Sequence, residues 1–171
     1  MEQKNLNYDV EICIDGMGLV IYSEGAVKDL KEGEDFFNKE FATPEQVAYH
    51  IKKGDIVGFN TGSSGVYNVK FRSGYPNAEI DENYPVSIRL AIKVEGGKIS
   101  IIDLFWLMEW SSDCPPEQQI AVEDGVYHLT ISTAKPRSGI WGDHQDIYIF
   151  LNKVEEMPEL TWTGVPELFV L

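Results

Sequence analysis

The sequence is poor in basic residues and has no long uninterrupted apolar stretch. Only 14 lysines and arginines stand against 28 acidic residues, so the formal net charge is −14. Direct binding to nucleic acid is disfavoured, because the phosphates would be repelled. No run approaches the roughly 18 apolar residues of a membrane span, and the first seven residues lack the apolar segment of a secretory signal. We therefore expect a cytoplasmic protein that binds neither nucleic acid nor membranes directly.

Cysteine is also scarce. Cys13 and Cys114 are far apart and form no Cys-x-x-Cys motif, so neither a disulfide framework nor a structural zinc site is supported. Cys13 lies between two isoleucines of an apparent strand and is predicted to be packed. No repeat and no linker-like segment divides the 171 residues, a length that suits one domain. We therefore expect a single domain over residues 1–171.

Alternation of apolar and polar residues predicts most of the fold. The clearest case is 86–94, where apolar residues recur at every second position, followed by Gly96-Gly97 and a second apolar run to 102. This pattern predicts a hairpin over 86–102. Further strands are predicted at 10–14, 19–22, 56–59, 66–72, 125–131 and 146–151. The first four of these predict two more hairpins, with turns at Asp15-Gly16 and at 60–65. The fold class expected is mostly β: an antiparallel β-sandwich, jelly-roll-like or a partly open barrel.

One short helix is predicted near 44–52. Thr43 suits the N-cap, Pro44 suits the first helical position, Gln46 completes a capping box, and Gly54 ends the helix.

Two features adjoin this helix. His50 falls outside the inner stripe that Val47 and Ile51 would form, so it is expected at the surface. Residues 23–42 are crowded with charged residues around three aromatic residues, which predicts a surface excursion held to the core by its rings. These rings belong to Phe36, Phe37 and Phe41.

The densest polar cluster is the segment 141–146, which contains Trp141, Asp143, His144 and Asp146. Carboxylate oxygens and an imidazole nitrogen suit several divalent cations, so the last three are candidate metal ligands. A metal site usually draws its ligands from separate elements, however, and a polar loop is the simpler interpretation. We expect no cofactor, and we keep these four residues as candidate contacts to a ligand or partner.

Catalysis has little support in the sequence. Carboxylates are abundant, including Asp113 and Glu117, but glycoside hydrolysis needs two of them held about 5–10 Å apart across a cleft. There is no Gly-x-Ser-x-Gly elbow and no cysteine beside a plausible histidine. We expect a protein that is not an enzyme, with Asp113 and Glu117 as further candidate partner contacts and a hydrolase as the weaker alternative.

Several aromatic residues leave a carbohydrate-binding domain open as an alternative, because their rings can stack on sugars. The residues concerned are Trp106, Trp110, Trp141, Trp162, Tyr75 and Tyr84.

One resemblance to a known family is visible over residues 86–150. Its elements are the segment Gly125-Val126-Tyr127-His128-Leu129-Thr130, the segment Asp146-Ile147-Tyr148-Ile149, and the preceding run 86–102 with Gly97-Lys98-Ile99-Ser100-Ile101. Together these resemble the competence protein J group, small acidic bacterial proteins associated with inhibition of a DNA-entry nuclease.

The resemblance implies a non-catalytic protein that binds or inhibits a protein partner with a basic surface, for example a nuclease. A nuclease groove is basic, and an acidic protein can occupy it by presenting carboxylates where phosphates would lie. The candidate contacts are the exposed acidic residues of 24–40 and 109–124.

Overall fold

The structure, a computed structural model, describes residues 5–170, and strands dominate it. Its strands are β1 (Asn7–Ile14), β2 (Gly18–Ser23), β3 (Ile56–Asn60), β4 (Gly65–Ser73), β5 (Val86–Val94), β6 (Lys98–Asp103), β7 (Gln119–Ala121), β8 (Gly125–Thr133) and β9 (Gln145–Val154). They form a first sheet in the order β1-β4-β9-β8-β5 and a second sheet in the order β3-β2-β6-β7. The mostly β, two-sheet architecture is confirmed, and both sheets are open.

The helices are short. They are α1 (Phe36–Glu40), α2 (Pro44–Lys53) and α3 (Ala78–Asn83), with 3₁₀ turns at Glu24–Val27, Leu104–Met108 and Pro116–Gln118. The predicted helix is confirmed as α2, whereas α1 and α3 were not predicted. With ten residues, α2 is the longest helix in 5–170, and no helix there could cross a bilayer.

The two sheets differ in how they meet solvent. In the first sheet β1 alternates exposed and buried residues, so one face meets the core and the other meets water. In the second sheet β2 is buried at every residue, so both of its faces are covered. The Phe41 ring lies against Gly58 of β3, where a Cβ atom would come within 2.7 Å of it, and Trp110 packs edge-on against Tyr22 at 5.3 Å.

The three predicted hairpins are wrong, although their strands are confirmed. β1 pairs with β4 and not with β2; β3 pairs with β2 and not with β4; β5 pairs with β8 and not with β6. Each of these tight turns carries the chain from one sheet to the other. Alternation reveals which face of a strand is buried, but it does not reveal which strand lies beside it.

The pairing of β4 with β9 departs from an all-antiparallel sandwich. These two strands run parallel, with Tyr67 opposite Gln145 and Ser73 opposite Leu151. The other strand pairs are antiparallel, and among them β8 with β9 joins two strands that follow each other in the chain.

The capping of α2 is as the sequence predicts. The Gln46 backbone N–H donates to the Thr43 hydroxyl at 3.2 Å, and the Thr43 backbone N–H donates to the Gln46 carboxamide oxygen at 3.0 Å. Gly54 ends the helix with a left-handed φ of 72°. The aromatic rings of 23–42 hold that segment to the core as expected, since Phe36 and Phe41 are buried.

Two predictions of burial are wrong. His50 is buried, and its Nδ1 lies 3.0 Å from the Asp55 carboxylate, because the rings of Phe36 and Phe41 pack around that side of the helix. Cys13 is exposed, because the alternation of β1 turns its neighbours Ile12 and Ile14 inward.

The carboxyl-terminal segment packs on the second sheet. Asn60 of β3 accepts a hydrogen bond from the Leu168 backbone N–H and donates one to the Pro166 carbonyl, both at 2.8 Å. Leu168 is fully buried.

Candidate partner-binding surface and ligand cavity

The two acidic segments singled out in the sequence lie side by side. The Gly33 backbone N–H donates to the Trp110 carbonyl at 2.7 Å, and the Trp110 N–H donates to the Glu34 carbonyl at 2.9 Å. The Glu32 carboxylate then accepts a hydrogen bond from the Ser112 N–H at 2.8 Å. Segments almost 80 residues apart in sequence therefore form one continuous surface.

Exposed apolar residues lie directly beside this surface. Phe105 is 49% exposed and Met108 is 41% exposed, and residues three apart in a 3₁₀ turn lie on the same side. The Asp103 carboxylate fixes this turn, because it accepts hydrogen bonds from the N–H groups of Phe105 at 3.1 Å and of Gly16 at 3.2 Å. The neighbouring Met17 is 60% exposed.

We call Phe105, Met108, Glu109, Glu32 and Asp113 the acidic patch. Within residues 5–170 none of its carboxylates forms an ion pair. The Ser112 hydroxyl and backbone N–H lower the pKa of the Glu32 carboxyl, because both hydrogen bonds favour its ionised form. The acidic patch thus presents unpaired negative charge next to exposed apolar area.

A cavity of about 720 Å³ lies on the first sheet, between the end of α3 and the loop joining β8 to β9. Asp143, His144 and Asp146 line it, together with Tyr84 and Arg137. Trp141 is half-buried in the same loop. Three of the four candidate residues of 141–146 are therefore brought together, and the structure adds lining residues that lie outside that motif.

The loop around the cavity is held firmly at its base. The buried Gln145 accepts a hydrogen bond from the Gly142 N–H at 2.9 Å and donates one to the Thr133 hydroxyl at 2.8 Å. Gly142 has a left-handed φ of 85°, and a side chain there would collide with the Ser64 carbonyl. His144 also has a left-handed φ of 48°, which non-glycine residues seldom adopt.

The cavity is not arranged as a metal site. Among residues 5–170, no group of three histidine, cysteine, aspartate or glutamate side chains is placed to hold a cation. The Asp146 carboxylate is already engaged, with the Lys70 ammonium at 3.8 Å and the Tyr84 hydroxyl at 3.4 Å. Asp143, His144 and Asp146 therefore share a cavity without forming a ligand set.

Asp113 and Glu117 belong to the other region. Both are exposed and precede β7 of the second sheet, whereas 141–146 leads into β9 of the first. The Glu117 carbonyl accepts a hydrogen bond from the Tyr8 hydroxyl at 2.6 Å, which ties this segment to β1. The six candidate residues thus divide between the acidic patch with its surroundings and the cavity.

Three of the tryptophans considered for a sugar-stacking face have different surroundings. Trp110 is buried, and Trp106 donates to the Ser111 carbonyl at 2.9 Å close by. Trp162 instead donates to the Arg89 carbonyl at 3.3 Å on β5. The tryptophans serve separate parts of the structure.

The buried thiol does not suit nucleophilic chemistry. Burial is the main cause that raises the pKa of the Cys114 thiol, which favours its neutral form. Nucleophilic cysteines instead need a lowered pKa in a partly exposed, electropositive setting. Cys114 is accordingly a packing residue beneath the acidic patch.

These features describe an open two-sheet β protein with an exposed acidic surface. No family model and no curated protein matches the sequence. Two solved structures share the fold. ComJ from Bacillus subtilis, described as an inhibitor of the DNA degrading activity of NucA, is similar with a TM-score of 0.55 and 14% identity, covering 90% of this chain and 100% of that chain.

The product of crocagin biosynthetic gene J is similar with a TM-score of 0.53 and 11% identity, covering 86% of this chain and 97% of that chain. At such identities the likeness concerns the fold alone. The resemblance to the competence protein J group is confirmed at that level.

Proposed function

We propose that this protein is a non-catalytic inhibitor that binds a protein partner with a basic surface, a nuclease, through the acidic patch. The observation that carries the proposal is the pairing of segments 32–34 and 110–112 beside the exposed Phe105 and Met108. The fold shared with ComJ is consistent with this role. In this proposal the chain acts as one domain in the bacterial cytoplasm.

The composition of the acidic patch suits a protein partner. Aromatic and methionine side chains are enriched in protein interfaces, and anchors of this kind contribute much of the binding free energy. The unpaired carboxylates of Glu32, Glu109 and Asp113 would meet lysines and arginines that a nuclease uses to hold phosphates. Such complementarity accelerates association and excludes partners of the wrong charge.

Site-specific crosslinking tests where the partner binds. A photoreactive phenylalanine analogue at Phe105 should crosslink a partner in cytoplasmic extract, whereas the same analogue at Tyr49 of α2, which is 61% exposed, should not. The yield of the Phe105 adduct should fall in high salt, since exposed charges are screened within about 8–10 Å at moderate ionic strength. Equal adduct yields at both positions, or a yield at Phe105 that does not change with salt, would contradict the proposal.

Inhibition of a nuclease tests the finer part of the proposal. The purified protein should slow DNA degradation by NucA, used as the probe enzyme, and the Glu109→Gln/Asp113→Asn variant should inhibit less. The Glu155→Gln/Glu156→Gln variant removes the same charge from exposed positions after β9 and serves as the control. If NucA is unaffected while the Phe105 adduct forms with another protein, the acidic patch stands and the nuclease assignment is wrong.

A further inference from the structure

We propose that the cavity between α3 and the β8–β9 loop is a second binding site, which takes a small ligand carrying an oxyanion such as phosphate or carboxylate. Its volume of about 720 Å³ lies within the range of about 300–1,000 Å³ that small-molecule sites occupy. This site is separate from the acidic patch and does not depend on the function proposed above.

Cationic side chains single this cavity out in a chain of net charge −14. Lys135 and Arg137 both line it, and neither forms an ion pair or hydrogen bond with any residue of 5–170. Most other basic residues are already engaged: Lys70 and Arg72, for example, pair with Asp146 at 3.8 Å and Asp9 at 2.7 Å. An arginine and a lysine left unpaired in one concavity are suited to a phosphate or a carboxylate.

Of the two acidic residues in the cavity, only Asp143 lacks a cationic partner within the described residues. The charge of Asp146 is offset by Lys70, and its oxygens accept hydrogen bonds from Tyr84 and Asn68, each at 3.4 Å. Asp143 is exposed and has no ion-pair partner in the described chain. It therefore remains free to accept a hydrogen bond from a hydroxyl or amine of the same ligand, which favours an organic anion with a donor group.

The site is built in advance of any ligand. Buried Gln145 bridges Gly142 and Thr133, and the Thr133 hydroxyl donates to the Asp146 carbonyl at 2.6 Å. These bonds hold the backbone at both ends of the loop in place before any ligand binds. The left-handed backbone of His144, at the rim of the same cavity, is energetically unfavourable. Such backbone outliers cluster at ligand sites.

Titration with inorganic phosphate, and separately with acetate, tests the site at constant ionic strength. We expect saturable changes of the backbone amide NMR signals of 135–146 with at least one of the two anions. The tetrahedral and planar probes distinguish a phosphate ligand from a carboxylate ligand. Absence of saturable change in this loop with both anions would overturn the proposal.

A pair of matched variants tests the assignment to Lys135 and Arg137. Lys135→Ala/Arg137→Ala should weaken anion binding by about tenfold or more, which corresponds to the loss of charge-assisted hydrogen bonds. Lys28→Ala/Lys31→Ala removes the same charge from an exposed loop and should leave binding within about twofold. An equal loss in both variants would show a general effect of net charge and would overturn the proposal. All four positions are exposed, and a thermal melt verifies that both variants fold.

Discussion

The acidic patch and the cavity belong to the same chain of net charge −14, yet we propose opposite ligands for them. The acidic patch consists of loops beside the second sheet, and its carboxylates have no cation within ion-pair distance in the described chain. The cavity is set into a hairpin loop of the first sheet, and its unpaired residues include Lys135 and Arg137. Net charge therefore sets the sign of the protein's overall electrostatic field, whereas the fold determines which individual charges have no partner.

The largest effect is expected where both regions depend on a common core. Leu90→Ala, at a fully buried position of β5, should lower the free energy of unfolding by about 3 kcal/mol. If residues 1–171 form one domain, unfolding in urea should show a single transition. Two variants can each keep a single tryptophan, either Trp110, beneath the acidic patch, or Trp141, in the cavity loop. The fluorescence of that tryptophan should give the same unfolding midpoint in both variants. Two separate midpoints would show that the regions unfold independently.

Charge reversal separates the acidic patch from the cavity. Glu109→Lys/Asp113→Lys should weaken partner binding by about 2 kcal/mol or more, roughly 30-fold, because like charges then face each other across the interface. Binding of phosphate in the cavity should not weaken, since the two sites lie on different sheets. Isothermal titration calorimetry with each ligand measures both effects, and Glu155→Lys/Glu156→Lys is the control of equal charge. Comparable loss in the control would mean that no localised patch exists.

Much of the fold could be predicted from the sequence. Alternation marks each strand because one of its faces is buried, and it marked 86–94 and 66–72 correctly. Pairing is a different property. Gly96-Gly97 allows a sharp reversal, but a reversal can lead to a neighbouring strand or across the core to the other sheet, and local sequence does not distinguish the two.

The candidate sites could be predicted only in part, because local sequence does not show which distant residues meet. The cluster 141–146 is contiguous, so its polar residues could be noticed together. Lys135 and Arg137 carry no motif, and Tyr84 reaches the cavity only because α3 ends there. The contact of Glu32 with Ser112 joins two loops that nothing in their sequences relates.

The pair His50–Asp55 allows stability to be perturbed away from both sites. Burial alone would raise the pKa of the Asp55 carboxyl, but the His50 hydrogen bond and the charges of His50 and Lys53 lower it below 3.8. A lowered pKa in the folded state stabilises the protein above that value, and this stability is lost as the pH falls below it. Asp55→Asn should therefore cost about 1 kcal/mol near neutrality, and the difference from wild type should shrink in acid.

Urea unfolding of wild type and Asp55→Asn at a series of pH values measures this effect. A difference that stays constant down to pH values well below 3.8 would contradict the direction of the pKa shift. Phosphate binding in the cavity at neutral pH should be the same in both proteins.

The smallest expected effect concerns the rim of the cavity. His144→Gly should raise the free energy of unfolding by about 0.5 kcal/mol, because relief of the left-handed backbone slightly exceeds the entropic cost of glycine. His144→Ala is the control, because it also removes the imidazole but keeps the backbone cost, so it should not gain stability.

The parallel pairing of β4 with β9 has a consequence for how the protein is made. When the ribosome has completed Gly65–Ser73, one edge of that strand has a partner in β1, while the other awaits residues 145–151, which have yet to be synthesised. Until they emerge, the backbone N–H and C=O groups of Val66, Asn68 and Lys70, which point toward the position of β9, remain open to any passing strand. A strand that follows much later in the chain thus closes this edge, and a polypeptide cut short before Gln145 would keep the edge exposed.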